Sequence, residues 1–551
     1  MRKAGQKILK RIASNDLSEE MSCVNALQRT PFRINDNVLK VLDHVWQNDI
    51  YVEGLASRES IQPPPYPFSV EPRELDQVQR EEFKKWRGLK ASIYQANSKS
   101  MSKRLQIERT LKVAKDFQKY KQFYYVWQLD FRSRKYPVSD FMNPQSADYG
   151  KALIEFAHGA MIEREEDADW LAIHGANCFG EDKISLEDRI DWAYGAEEDV
   201  VRTVEDPLNF TWWMTASSPF QFLAWCVEWY DYLKEGLGFV THLPVSADGS
   251  CNGLQHLLAI LRDEQGGKAV NLLPSSIPAD IYQDVADATK LLVEEDAKDG
   301  NELAQQILDF GIDRKLTKKP VMVVPYSGTQ YACRDYIQSA IQEKFDKGQT
   351  APFSAFEASV YLNRHVWDSI GSVISSAREV MDFIKGIGTA YAEMQIPMEW
   401  MTPTNFLVIQ DYPDLETQRI KTIIDGSIIR LSYREPIENT VCRGKTITGS
   451  SPNFIHSLDA SALTKTVNRC MTEGIHNFAM VHDSYGTHCS NIPLMQQILR
   501  HEFVEMYENN DVLAQLRDHA INRLGHEELP ELPKKGTLDL KQVLKSDYFF
   551  A

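Results

Sequence analysis

The chain has 551 residues, 43% apolar and 25% charged, the profile of a folded protein too long for one core of ordinary size. No window holds the roughly 18 uninterrupted apolar residues of a membrane span, and the basic start MRKAGQKILKR lacks a secretory leader's apolar run. A net charge of -17 excludes nucleic-acid binding by gross charge, so the distribution of charge must decide.

The first hundred residues read as helices, FRINDNVLKVLDHVWQNDI and DQVQREEFKKWRGLKASIYQANS, around the break IQPPPYPFSVEP. Another helix, from Ser100 to Phe123, turns Leu105, Leu111 and Phe117 to apolar contacts while lysines cover much of the rest. Such a helix suits a phosphate backbone or simply water. Lys and Arg concentrate between 99 and 135 and acids between 163 and 206, which permits a basic cleft in a repelling exterior. FYYVWQLDFRSRKYPVS has aromatic strand character. From 163 to 234 helices follow, with Trp170, Trp192, Trp212, Trp213, Trp225 and Trp229 assigned mostly to packing.

GFVTHLPVSADGS looks like a strand entering a turn, and NGLQHLLAILRDE a helix after it. IPADIYQDVADATKLLVEE and ELAQQILDFG are helical, then comes the basic DRKLTKKPVMVV, and a long helical region reaches about residue 390. Residues 396–450 return to strand and loop. A helix at 457–475, a strand at 477–481, further helices and the tail SDYFFA complete a mixed, helix-rich α/β chain. The eight cysteines show no CxxC pair, so they read as free thiols of a reducing compartment and argue against zinc.

Two acids stand out. Asp248 follows LPVSA and Asp483 follows FAMV, each an apolar strand pattern, and each precedes a small or glycine-containing turn. Either acid alone fits a turn cap. Strands side by side would bring both into one cleft, where carboxylates repel unless cations hold them. Mg²⁺ suits hard oxygen donors and keeps water and phosphate as further ligands. Two such ions can activate a 3′-hydroxyl and stabilise a leaving pyrophosphate.

A phosphate-binding element lies between the acids in GIDRKLTKKPVMVVPYSG. On a helix Arg314, Lys318 and Met322 share a face, and Lys319 points aside. Pro320 threatens a kink unless it falls in the first turn, and Pro325 should end or bend the helix. Tyr326 would then stand about 12 Å from Lys318 by helical rise. That separation spans one nucleotide. A solvated basic segment broken by proline is the alternative.

Together these residues resemble the single-subunit RNA polymerase family of podophages and mitochondria. DGSCNGLQH, RKLTKKPVMVVPYS, PNFIHSLDA and VHDSYGT carry the likeness, supported by LDFRSRKYPVSDFMNPQ, IHGANC and KGTLDLKQVLKSDYFFA. The resemblance implies a right-hand fold whose palm is an antiparallel sheet flanked by helices. Its parts would be an N-terminal helical extension (1–45), thumb (46–120), first palm segment (121–265), fingers (266–456), and second palm segment with C-terminal tail (457–551). It implies Asp248 and Asp483 as ligands of two Mg²⁺, with Mn²⁺ a substitute and the Gly249 backbone a further donor. Lys318 and Arg314 would hold the triphosphate, with Lys318 also the proton donor to pyrophosphate. Tyr326 and His456 would select ribose, Tyr282 and His482 would line the site, and Arg132 and Arg134, oriented by Asp130, would contact primer or template backbone. Residues 415–445 would stand in the place of a promoter-reading loop, with Arg419, Arg430, Arg434 and Arg443 suited to DNA.

The implied partners are a DNA template, NTPs and an RNA product, with no membrane, and the implied setting is a phage protein in bacterial cytoplasm. The pattern departs from the family at Ser327, where Tyr326 is usually followed by glycine, and at Ser133, within a usual Arg-Gly-Arg. The family's large N-terminal promoter-binding region has no counterpart in residues 1–40, so a second polypeptide or accessory factor is expected to supply promoter recognition or melting, with the acidic 163–206 region one candidate docking face. The alternatives are a related DNA polymerase, a primase-like enzyme, and a catalytically dead subunit. The first usually has a glutamate after the acid at Asp248 and an acid after Asp483, and this chain has neither; the last conflicts with the presence of Asp248, Asp483 and Lys318 together.

Overall fold

The computed structural model describes residues 3–326, 328–525 and 528–551. Its helices enclose small antiparallel sheets, five of two strands and one of three among the described residues. Buried apolar side chains form one continuous core running from Cys23 to Phe550.

Residues 1–45, read as an N-terminal extension, join that core from the helix Ser18–Arg29 onward. Cys23, Val24 and Leu27 are buried, and the strand Phe32–Ile34 pairs with Ile154–Phe156. Glu20 anchors the attachment. Its fully buried carboxylate meets Lys135 Nζ at 2.6 Å and accepts hydrogen bonds from Thr404 (2.6 Å) and Thr464 (3.1 Å). Removing one partner of such a pair strands a charge in low dielectric. Glu20→Ala is therefore expected to destabilise the protein by roughly 3–5 kcal/mol, measured by denaturant unfolding. A loss below about 1 kcal/mol would show that water reaches the pair.

The two helices expected across residues 76–123 are one 41-residue helix, Gln77–Phe117. Asp76 starts it with a reciprocal cap to Gln79, and no proline interrupts it. Its contact with the core is made by Ile107, Leu111 and Ala114, whereas Leu105 is exposed. The proline-rich break folds back on this helix, where Trp86 Nε1 donates to the Pro65 carbonyl at 2.9 Å. The tryptophans pack as expected, with Trp213, Trp225 and Trp229 fully buried and the rings of Trp225 and Trp229 stacked 5.6 Å apart.

The helix expected at 457–475 begins earlier, spanning Arg443–Thr472 with Pro452 inside it. Burial of Thr446, Ser450, Phe454 and Ile455 against the core outweighs the proline's missing donor. The segment 415–445 lies in the stretch expected to be strand and loop. It is a hairpin of two ten-residue strands, Leu415–Ile424 and Ser427–Pro436, followed by the start of that helix.

The three-stranded sheet positions the acids. Its order is Ala479–Val481, Ser484–Thr487, Val245–Asp248, all antiparallel. The strand after Asp483, not the FAMV strand before it, is the neighbour of Val245–Asp248. Gly486 is required there, because a Cβ would lie 2.6 Å from the Ala479 carbonyl oxygen.

Candidate active site

Asp248 ends its strand and faces Ser484 across the ladder; Asp483 occupies the tight turn just before Ser484. The backbone locks them together, since Gly249 N–H donates to the Asp483 carbonyl at 2.9 Å and Ala551 N–H to the Asp248 carbonyl at 3.1 Å. Both acid side chains are reached by solvent from one cleft. Protein encloses Asp248 on its other sides, and this burial raises its pKa, opposed by a hydrogen bond from Ser484 and the charge of Lys151, with Asp483 adding a smaller push upward. The site offers two carboxylates and the peptide of Gly249, all oxygen donors. Among the described residues no group of three or more His, Cys, Asp or Glu could enclose a metal. The acids thus fit an ion that keeps water or phosphate ligands, rather than a closed zinc site.

Across the cleft runs the basic helix Arg314–Val323, capped by Asp313, whose carboxylate accepts from Leu316 N–H at 3.1 Å. Arg314, Lys318 and Met322 all line the cleft, as their spacing predicts. Pro320 sits within the helix beyond its first turn, and the chain tightens into a 3₁₀ turn at Val324–Tyr326 around Pro325. Thr317 holds the helix in place by donating to the Tyr282 carbonyl at 2.7 Å. Arg314 Nε donates to Asp280 at 2.5 Å, and its guanidinium lies 5.2 Å from the Tyr282 ring centre. Lys318 has no ion pair among the described residues, and burial together with the charge of Arg314 lowers its pKa. Tyr282 lines the cleft beside Cys251.

Tyr326 closes the other end. Its ring lies 4.7 Å from that of His456, and Gly253 makes room for it: a Cβ there would stand 2.9 Å from the Tyr326 hydroxyl. Ser327 lies outside the described residues. Behind this pair is a polar layer set back from the cleft. Arg132 Nη1 donates to His456 Nδ1 at 2.7 Å, while its Nε and Nη2 donate to Asp130 at 2.8 and 2.6 Å. Burial, then the charges of Arg134 and Arg132, push His456 down to about 2. A neutral ring whose Nδ1 accepts from arginine carries its proton on Nε2, so His456 is a fixed hydrogen-bond donor.

Arg134 makes two hydrogen bonds to buried Asp459, at 3.0 and 2.5 Å. Burial lifts the Asp459 carboxyl to about 6 while the pair holds Arg134 above its ordinary value; the paired geometry favours the ionised form. The two arginines, expected on a nucleic-acid backbone, here direct these donors inward. Asp130 organises the turn, also accepting from the N–H groups of Arg132 (2.8 Å) and Arg134 (3.0 Å). Ser133, where glycine is usual, adopts φ +69°, a left-handed conformation that strains an L-residue. Its buried hydroxyl accepts from Lys135 Nζ at 3.4 Å. His482 packs edge-on to Tyr136, ring centres 4.6 Å apart, beneath rather than in the cleft.

Sequence reasoning missed Asp280, Asp459 and Lys183. Asp459 follows His456 by three positions on one helix and so shares its side, a signal that was available. Asp280 caps the helix Ile281–Lys298, a local role that its sequence position explains without reference to Arg314. Lys183 and Asp182 reach the cleft from a loop whose sequence carries no distinctive spacing.

A family profile described as DNA-dependent RNA polymerase matches residues 163–530. The chain belongs to that family. It is 34% identical, over its whole length, to the DNA-directed RNA polymerase of Enterobacteria phage T3, of which it covers 66%. It is 32% identical to the T7 RNA polymerase of Escherichia phage T7, covering 66% of that chain. With the mitochondrial DNA-directed RNA polymerase 1 of Arabidopsis thaliana it shares 33% identity over 55% of that relative's length. The chain thus spans 66% or less of the relatives named here. Membership in this single-subunit, phage and organellar family accounts for a helix-rich molecule with small antiparallel sheets as the right-hand polymerase fold. No described helix of this polymerase-family chain is long and apolar enough to cross a membrane.

Proposed function

We propose that this chain copies a DNA template into RNA, joining NTPs to an RNA 3′-hydroxyl with release of pyrophosphate. The observation that carries the reading is the single cleft with Asp248 and Asp483 on one wall and Lys318 and Arg314 on the other. Asp248 and Asp483, with the Gly249 carbonyl, would hold two Mg²⁺ or Mn²⁺ ions, which when bound supply a lowered pKa for the attacking hydroxyl and charge stabilisation for the departing phosphates. Lys318 binds the triphosphate and, with its pKa lowered, is suited to protonate the leaving pyrophosphate. Arg314, steadied by Asp280, holds the phosphates in line, and Lys183 adds charge from the opposite loop. Tyr326 stacks near the base, while the Nε2–H of His456 recognises the ribose 2′-hydroxyl. The reducing cytoplasm of a phage-infected bacterium is the setting we infer, in keeping with eight unpaired cysteines among the described residues.

Primer extension on a primed single-stranded DNA template tests the reading. Extension with NTPs and not dNTPs supports it; the reverse preference makes the chain a DNA polymerase. The same chain on promoter duplex reports whether a second polypeptide or accessory factor is needed for opening. Arg132→Met frees His456 Nδ1 and lets the ring rotate or change tautomer. It is expected to narrow discrimination between NTPs and dNTPs by about tenfold, read by competitive incorporation. Unchanged discrimination would remove His456 from sugar recognition.

A further inference from the structure

Four of the first six residues of the helix Arg314–Val323 are cations: Arg314, Lys315, Lys318 and Lys319. The start of a helix is the positive end of its backbone dipole, so cations are unfavourable there. Like charges four apart, as at Lys315 and Lys319, repel as well. Asp280 answers the charge of Arg314, and Lys318 faces the catalytic cleft. Lys315 and Lys319 are exposed and make no ion pair or side-chain hydrogen bond among the described residues. The chain thus concentrates charge where a helix tolerates it least, and two of the four ammonium and guanidinium groups have neither an acid partner nor a place in the cleft.

Those two line a second groove, of about 500 Å³, between this helix and the end of the helix Gln330–Asp346. Six cations stand on it, the four just named with Lys344 and Lys347, against two acids, Asp313 and Glu343. Both acids are already matched within the groove. Asp313 pairs with Lys344 at 2.8 Å, and Glu343 with Lys347 at 2.8 Å. Lys347 chiefly, with Lys319 and Lys315 adding to it, holds the Glu343 carboxyl below its ordinary value. A surplus of four positive charges is therefore gathered in one concavity of a protein whose net charge is -17. This groove and the catalytic cleft share Arg314 and Lys318 as a common wall.

We propose that the groove is a second polyphosphate site, holding the phosphate chain of a nucleotide in transit: that of an NTP waiting to enter the cleft, or the pyrophosphate that leaves it. The surplus charge calls for a compact polyanion, since only closely spaced phosphates engage Lys315, Lys319 and Lys347 together. The volume suits a ligand of nucleotide size rather than a bare ion. Lys318 and Arg314, common to both sites, keep the phosphates in contact with positive charge as they cross. The direction of traffic rests on the polymerase reading; the existence of the site does not.

Equilibrium dialysis of the full native chain against radiolabelled pyrophosphate, in EDTA so that no divalent ion contributes, counts the sites. The native chain is expected to bind two equivalents and the K315Q/K319Q/K347Q variant one; all three lysines are exposed, which makes folding safe. E343Q frees Lys347 and should tighten the second equivalent about threefold. A native chain with one equivalent, a triple variant that keeps two, or an E343Q variant no tighter than native overturns the site. Primer extension by the same proteins gives the direction. If NTPs wait in the groove, the triple variant raises the KM for NTPs about tenfold at unchanged kcat. If pyrophosphate leaves through it, KM holds, kcat falls, and inhibition by added pyrophosphate weakens about tenfold. Loss of the second equivalent with neither kinetic change overturns transit. A native chain that extends no primer sinks the polymerase reading, whereas the dialysis decides the groove in either case.

Discussion

Asp483→Asn is expected to reduce nucleotide addition at least about a thousandfold while the protein unfolds at an unchanged or slightly higher temperature. The two halves have one cause. The Asp483 carboxylate makes no hydrogen bond or ion pair among the described residues; only its backbone carbonyl is engaged, by Gly249. Neutralising it removes repulsion against Asp248 and costs the fold nothing, but it halves the charge available to divalent cations. Asp248→Asn should lose activity as severely. Primer extension with excess Mg²⁺, run beside a thermal melt, checks both. A rate above about a tenth of native would mean that the acids do not share ions.

Lys318→Ala is expected to lower the rate by about two to three orders of magnitude, the usual consequence of removing a fixed donor aimed at developing charge. Arg314 should not compensate, because Asp280 already holds its guanidinium. Lys318→Arg separates two roles. It keeps the positive charge but cannot release a proton near neutrality. If Lys318 protonates pyrophosphate, this variant should keep a near-native KM and lose most of its kcat. If Lys318 acts by charge alone, kcat should largely return.

Much of this site is legible from residues because its signals are local. Arg314, Lys318 and Met322 obey helical spacing, and Asp248 and Asp483 each punctuate an apolar run. The identity of the neighbouring strand was not legible: the runs before and after Asp483 both form strands with buried side chains, and only the pairing across the sheet puts Ser484–Thr487 beside Val245–Asp248. The inward pairing of Arg134 with Asp459 was hidden for a related reason. Nothing local tells an arginine that a buried carboxylate from a distant helix will reach it first. The helix expected from residue 457 starts earlier, because burial along Arg443–Thr472 carries it through Pro452.

The hairpin bearing Asp483 completes a sheet whose other acid belongs to a strand made much earlier on the ribosome. The two acids therefore share a cleft only once the segment Ser484–Thr487 has been made and has paired with that far earlier strand. A chain cut short before residue 484 would lack the middle strand of the sheet, and with it the pairing that sets Asp483 beside Asp248.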